Sequence, residues 1–436
     1  MSFGRAFSFL WGANTASNLA DGLAFVSIPL LAASLTDDPR WVAGLATVYA
    51  LVRLLAALPI GVWVDRADRR RILVAVNLLR GVAVAALALC VHFGVGGLLL
   101  LYLAFAIIGT LESAADNATV SLVPGIVGER NLDRANGRIS ASQIVADEFA
   151  GPPLGGFLFA FAAAAPIFAM AGLWAAAGFL ALALPKRPAA PPATTPFERT
   201  GVWKEAAAGT RWLAWHRTVG GLALIGALAS VGYMLPFSVL VLFAQQQLGV
   251  NTAGYGMILA TSALGGLAGS FAAPRMRGRF GYRWTIAASL LLGAGSLTAL
   301  AATHSGVVAA LLLAVYIFHA VVWGICATSL RQRLVPDELR GRVNASSRVL
   351  GLLGLALGSA LGGVLAAGNI ALPALAGGLV FLACSLVAAY LFRDLGRTGF
   401  PTKSEELVPG ARVPVNPRPG AGCGNVPAEQ TPGASP

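Results

Sequence analysis

The sequence predicts an all-α polytopic membrane protein, with twelve transmembrane helices arranged as two pseudo-symmetric six-helix bundles, and three observations carry that expectation. Of 436 residues, 57% are hydrophobic and only 11% charged, whereas a soluble chain carries about 25% charge and needs it to cover a water-facing surface. Apolar runs of the roughly 20 residues that a membrane-crossing helix requires recur twelve times. A polar linker interrupts the chain near its midpoint, and the two halves repeat each other's landmarks.

The runs lie at 7–34, 41–63, 72–93, 97–121, 139–163, 165–185, 218–247, 252–274, 283–302, 306–330, 343–367 and 370–393. Several are rich in Gly and Ala, which suits close helix packing in lipid, where hydrophobic burial between helices supplies little. The first run is read as a span and not as a cleaved leader, because Asp21 interrupts it and its length suits a crossing.

The excess of 31 Lys+Arg over 19 Asp+Glu would raise the question of nucleic acid in a soluble protein. Here the bases sit in short clusters between spans, without an aromatic-interleaved basic face, so the charge is topological and no nucleic-acid partner is expected. Cytoplasmic loops carry the Lys/Arg excess. Arg5, the cluster Arg66 to Arg71, Arg130 to Arg138, the linker, Arg275 to Arg283, Arg331 to Arg348 and the tail fall on one side, and Arg40 alone falls on the other. Both termini are therefore expected in the cytoplasm of a bacterial-type cell, with the protein in the inner membrane. Cys90, Cys326 and Cys384 lie in apolar runs, and with Cys423 they make no disulfide framework.

The organisation follows: an N-terminal bundle over 1–185, a cytoplasmic linker with an amphipathic segment over 186–217, a C-terminal bundle over 218–395 and a disordered tail over 396–436. The internal echo supports two repeats. Leu122-Val123-Pro124 is matched by Leu334-Val335-Pro336, and Gly151-Pro152-Pro153-Leu154-Gly155-Gly156 by Gly358-Ser359-Ala360-Leu361-Gly362-Gly363. Parallel repeats of this kind are a build of secondary transporters, with the substrate site between the halves at the midplane.

After the second run comes Gly61-Val62-Trp63-Val64-Asp65-Arg66-Ala67-Asp68-Arg69-Arg70-Arg71. A stop-transfer cluster explains the arginines but neither Gly61 nor the acids. The segment resembles the signature loop of the major facilitator superfamily, with Asp68 standing at that motif's second glycine. The resemblance implies that Gly61, Asp65, Arg66, Arg69, Arg70 and Asp116 form a cytoplasmic gate. Asp65 would face the start of the eleventh helix, whose positive end favours an acid, and Arg69 would bridge Asp65 to Asp116.

Gly151, Pro152, Gly155 and Gly156 look like the same family's antiporter motif, found in exporters that exchange substrate for protons; a small-residue packing face is the plainer reading. Leu10-Trp11, Ser17 to Asp21, Gly109 to Asp116 and Leu132 to Asn136 are similar to the branch that includes macrolide-efflux proteins and siderophore exporters.

Charges within the hydrocarbon cost roughly 2.5–3.5 kcal/mol each on insertion scales and tend to mark an ion or substrate path. Asp21, Arg53, Arg80, Glu112, Asp116, Asp147 and Glu148 qualify, and all lie in the first half. At about 1.5 Å per residue, Arg53 and Glu112 share a height, so they are expected to pair. Asp116 suits Arg80 or the signature loop.

Asp21 has no obvious cation at its level. A carboxyl buried without a partner favours its neutral form, as a proton-exchanging group requires; the alternative is a packing acid beside Asn14, Ser17 or Asn18. Asp147 and Glu148, adjacent on an expected α-helix, point about 100° apart, so they cannot both face one cavity squarely; one that did would favour cationic substrates or titrate, and the other would be interfacial. His319 is either a structural group or a coupling group. Tyr233, Met234, Phe237, Tyr316 and Trp323 are candidates to line an apolar cavity, and Pro236 is expected to kink the seventh helix.

No glycine-lysine phosphate loop, metal-ligand cluster or nucleophile-base pair is visible, so no cofactor, metal or enzymatic activity is expected. The expected partners are a small-molecule substrate, protons and the lipid bilayer, with the protein acting as a monomer. The functional expectation is proton-coupled efflux of a small amphipathic compound by alternating access. Its rivals are a proton-coupled nutrient importer on the same fold and, more remotely, a receptor or scaffold that does not transport.

Overall fold

The structure is a computed structural model that describes residues 4–95, 97–128, 131–185 and 211–393. Residues 186–210 of the expected linker over 186–217, and the whole of the expected tail over 396–436, lie outside the described residues.

The N-terminal half contains α1 (Arg5–Leu35), α2 (Pro39–Arg66), α3 (Arg69–His92), α4 (Leu98–Val127), α5 (Leu132–Gln143), a π-turn (Ile144–Ala150), α6 (Gly151–Phe161) and α7 (Ala165–Leu182). The C-terminal half contains α8 (Arg217–Phe237), α9 (Leu240–Gln246), α10 (Thr252–Ala302), α11 (Gly306–Leu334), α12 (Asp337–Gly368) and α13 (Leu372–Leu391). Among the described residues, nine helical stretches are by length and composition apolar enough to cross a membrane. Three further observations bring the rods to twelve. α10 is two crossings joined at a kink on Gly281, whose φ of 74° lies in the left-handed region that glycine tolerates. α2 makes one more rod, and α5, the π-turn and α6 together make another.

Short polar turns end one helix and start the next. Asp38 caps α2 by accepting from the Arg40 amide at 2.9 Å, with Pro39 in the first turn, where a missing N–H costs nothing. Asp68 caps α3, its Oδ1 accepting from the amides of Arg70 at 3.0 Å and Arg71 at 3.3 Å. The acid that breaks the glycine pattern of the signature loop is thus a helix cap. Asn251 and Ser305 cap α10 and α11 in the same way.

Two of the expected spans are irregular. The fifth, expected as one α-helix over 139–163, widens into a π-turn over Ile144–Ala150. In the seventh, Pro236 does more than kink the rod: α8 ends at Phe237 and α9 begins at Leu240. Residues 211–215, the described part of the expected amphipathic segment, are helical. Leu213 is buried there among Val219, Val335 and Val343 while Trp215 stays exposed.

The halves touch along two seams, α2 with α12 and the α5–α6 rod with α10. In the first, Thr47 Oγ1 and Ser359 Oγ are hydrogen-bonded at 2.8 Å, and Gly363 packs on the backbone of Pro39 and Arg40. In the second, Gly156 meets Gly256 so closely that a Cβ on Gly156 would lie 2.9 Å from the Gly256 Cα. These contacts gather toward the end remote from the arginine clusters at Arg69–Arg71, Arg275–Arg283 and Arg331–Arg333.

Candidate functional site

Two adjoining cavities open between the halves. The first, of about 260 Å³, is lined by Asp21, Tyr49, Arg53, Glu112 and Asp147 from the N-terminal half and by Met234, Phe237 and Tyr255 from the C-terminal half, among others. The second, of about 380 Å³, shares Phe25, Asp147 and Phe237 with the first and continues past Pro152 to Tyr233, Ile317 and Val321. Together they form one chamber, with three carboxylates and one guanidinium on the N-terminal wall and an apolar, aromatic C-terminal wall.

Behind the acids runs a ladder of charges drawn from four helices. Arg53 Nη1 donates to Glu112 Oε1 at 2.7 Å and to the Tyr49 hydroxyl at 3.0 Å, and the Tyr49 hydroxyl donates to Glu112 Oε2. Arg53 Nη2 also stands 3.6 Å from Asp116 Oδ2. Glu112 and Asp116, one turn apart on α4, therefore share one guanidinium. Arg80, 0% exposed, pairs with Asp21 Oδ1, donates to Ser17 Oγ at 3.2 Å and lies 3.8 Å from Glu112 Oε2. Its guanidinium covers the Trp174 ring at 4.2 Å, a cation–π contact. Three acids and two arginines make a network in which every acid has at least one cation within 4 Å, the condition under which buried charge is tolerated.

Some sequence expectations are corrected here. Asp21 is not without a cation: the long side chain of Arg80 on α3, fifty-nine residues on, reaches across the bundle to it. Asp116 does not meet Arg69 or form the closest pair with Arg80. It turns to Arg53, while Arg69 Nη1 donates instead to the Ser121 carbonyl at 3.4 Å. Arg70 donates to the carbonyl of Leu182. The side chains of Gly61, Asp65 and Arg66 in the signature loop, and of Glu148 on the π-turn, lie outside the described residues.

Asp147 lines both cavities. It does so from a π-turn, so the 100° separation of neighbours on a regular α-helix does not apply to it. Tyr316 and Trp323, expected on the chamber wall, line a side recess with His319 instead, because α11 turns that face toward α8 and α13. Tyr233, Met234 and Phe237 do line the chamber.

The Gly151 to Gly156 motif is a packing seam. Gly151 lies on the backbone of Gly22 and Gly155 on that of Leu23 in α1, while Gly156 faces α10. Tyr49 was not expected at the site. It stacks on Phe105 with centroids 4.7 Å apart, and its place four residues before Arg53, on the same helix face, was the available signal.

A two-bundle membrane protein with a chamber between its halves and an acid-bearing wall on one side is a secondary transporter of the major facilitator type. The model of the transmembrane secretion effector family matches residues 3–416, and the chain belongs to that family. It is 27% identical over 367 residues to the enterobactin exporter EntS of Shigella boydii serotype 4 (strain Sb227), covering 83% of this chain and 85% of that protein. The same figures hold for the enterobactin exporter EntS of Escherichia coli (strain UTI89 / UPEC).

Among solved structures, the nucleoside transporter NupG superposes with a TM-score of 0.70 at 13% identity, over 89% of this chain and 99% of that one. A bacterial homologue of the iron transporter ferroportin, in an inward-facing state, superposes with a TM-score of 0.68 at 19% identity, over 90% and 99%. At such identities these likenesses speak for the fold. The chain is a multi-pass membrane transporter.

Proposed function

We propose that the protein exports a small amphipathic compound, drug-like, macrolide-like or siderophore-like, across a bacterial inner membrane in exchange for protons. The observation that carries this reading is the chamber itself, with Asp21, Glu112 and Asp147 facing it beside the single cation Arg53. Such a wall favours a substrate with a cationic end, and the aromatic wall opposite favours an apolar body. The enterobactin exporters among its relatives support efflux as the direction and a siderophore-like molecule as one substrate class.

In this reading both termini are cytoplasmic, by the bias of the basic loops. The arginine-rich end then faces the cytoplasm, and the seams Thr47–Ser359 and Gly156–Gly256 close the opposite side, so the chamber is open inward. The monomer is the working unit, because the chamber is built within one chain.

Coupling runs through the ladder. A proton arriving on Asp21 removes half of its pair with Arg80, and Arg80 then turns toward Glu112, already 3.8 Å away. Glu112 in turn loosens its hold on Arg53, which has Asp116 as a second partner. Proton and cationic substrate thus compete for the same carboxylates, and exchange follows as the halves rock. Reconstituted vesicles test this. An imposed proton gradient should drive flux, and Asp21→Asn should abolish gradient-driven flux while the protein stays folded; unchanged flux in that variant ends the coupling reading.

A further inference from the structure

Beside the chamber, the C-terminal half holds a recess of about 170 Å³ between α8, α11 and α13, lined by Gly226, Ser230, Tyr233, Tyr316, His319 and Trp323, with Phe381 behind. Tyr233 and Ala320 line both the recess and the chamber, so the two adjoin. His319 is 1% exposed, and neither of its ring nitrogens has a hydrogen-bond partner among the described residues. Its orientation is set by packing: Tyr316 and Phe381 meet it edge-on, with centroids at 4.7 and 4.9 Å and planes at 69° and 79°, and the ring also lies against Gly293 of α10, where an added Cβ would collide with Nε2.

A neutral imidazole offers one donor and one acceptor. A buried polar group that lacks a partner is costly to keep, so an imidazole held by packing in the wall of a recess is a recognition group awaiting one. The size of the recess limits what enters. An apolar cavity of about 150 Å³ accepts benzene, and aromatic walls favour a ring at offset or edge-on geometry. Ser230 adds little polar capacity, because its hydroxyl already donates to the Gly226 carbonyl at 3.0 Å.

We infer that this recess is a binding subsite for a single aromatic ring bearing a hydroxyl, with the hydroxyl on His319 and the ring against Tyr233, Tyr316 and Trp323. The inference deepens the transport reading, since it names the part of the substrate that the C-terminal half takes.

The test is binding, not flux. Full-length protein in lipid nanodiscs is titrated with 4-fluorophenol and 4-fluorotoluene and followed by fluorine NMR. Saturable binding of 4-fluorophenol is expected, weakened roughly five- to tenfold by His319→Phe, the worth of one hydrogen bond, and kept within about twofold by His319→Gln, which retains a donor and an acceptor. Binding of 4-fluorotoluene should not distinguish wild type from His319→Phe. Gly226→Leu gives an independent arm: a Cβ there meets nothing within 4 Å, so the side chain can grow into the recess and should block both probes.

Absence of saturable 4-fluorophenol binding to the wild type overturns the subsite. So does equal affinity in wild type and His319→Phe, or undiminished binding in Gly226→Leu. Asp21→Asn separates this inference from the transport reading, because it should leave 4-fluorophenol binding unchanged even where it abolishes flux.

Discussion

The two halves share a fold but differ in what they bury at their centres. The N-terminal bundle encloses Asp21, Arg80, Glu112 and Arg53 in one ionic ladder. The C-terminal bundle encloses Tyr316, His319 and Phe381 in a box of rings, and between residues 217 and 391 its acids are Asp337 and Glu338 alone, both at the start of α12. The contrast teaches that one half concentrates the buried charge while the other presents an apolar, aromatic interior. Charge that must be desolvated needs fixed counter-charges, and those are easier to hold inside one bundle than across an interface between two.

The sharpest way to break that contrast is Arg80→Met. It leaves Asp21 buried against a neutral neighbour, and breaking a buried pair from one side costs about 3–5 kcal/mol. Thermal unfolding in detergent should show a large loss and flux should vanish. Adding Asp21→Asn removes the orphaned charge, so the double variant should regain most of the stability and none of the flux.

Next in size, Gly156→Val forces a branched side chain into the backbone contact with Gly256. Overpacking of this kind costs about 1–3 kcal/mol. Cysteines placed on either side of the seam should then cross-link less readily than in the parent.

Thr47→Val is milder. It removes the 2.8 Å bond to Ser359, worth about 1 kcal/mol. Spin labels on the two halves at the arginine-rich end should report a population shifted several-fold toward closure there.

The smallest effect belongs to the C-terminal core. Ser385→Ala deletes a buried bond to the Ala287 carbonyl, 2.8 Å long, and should lower stability by about 1 kcal/mol without altering flux. A loss of flux there would erase the distinction between the halves.

The architecture was legible because its signals are one-dimensional: apolar run length and a repeated Gly-rich box. The Arg53–Glu112 pair was legible from depth alone, since both residues sit at the same height on adjacent rods. The Asp21–Arg80 pair was not, because depth says nothing of which way a side chain points around its own helix or how far across the bundle an arginine reaches. Rotation also explains Tyr316 and Trp323, expected on the chamber wall but placed on a recess beside it. Tyr49 carried a usable signal in its spacing from Arg53, whereas nothing in composition marks the shared role of Glu112 and Asp116 toward one arginine.

The widened turn over Ile144–Ala150 has a consequence for how this protein can change. A π-turn accommodates one residue more than an α-helix would over the same rise, so the stretches on either side of it are out of phase by about 100°. Deleting a single residue there would rephase the rod, swinging Asp147 relative to the cavity while leaving every remaining side chain chemically unchanged. An insertion or deletion of one residue, and not only a substitution, is thus a route by which such a protein could gain or lose an acid on its inner wall.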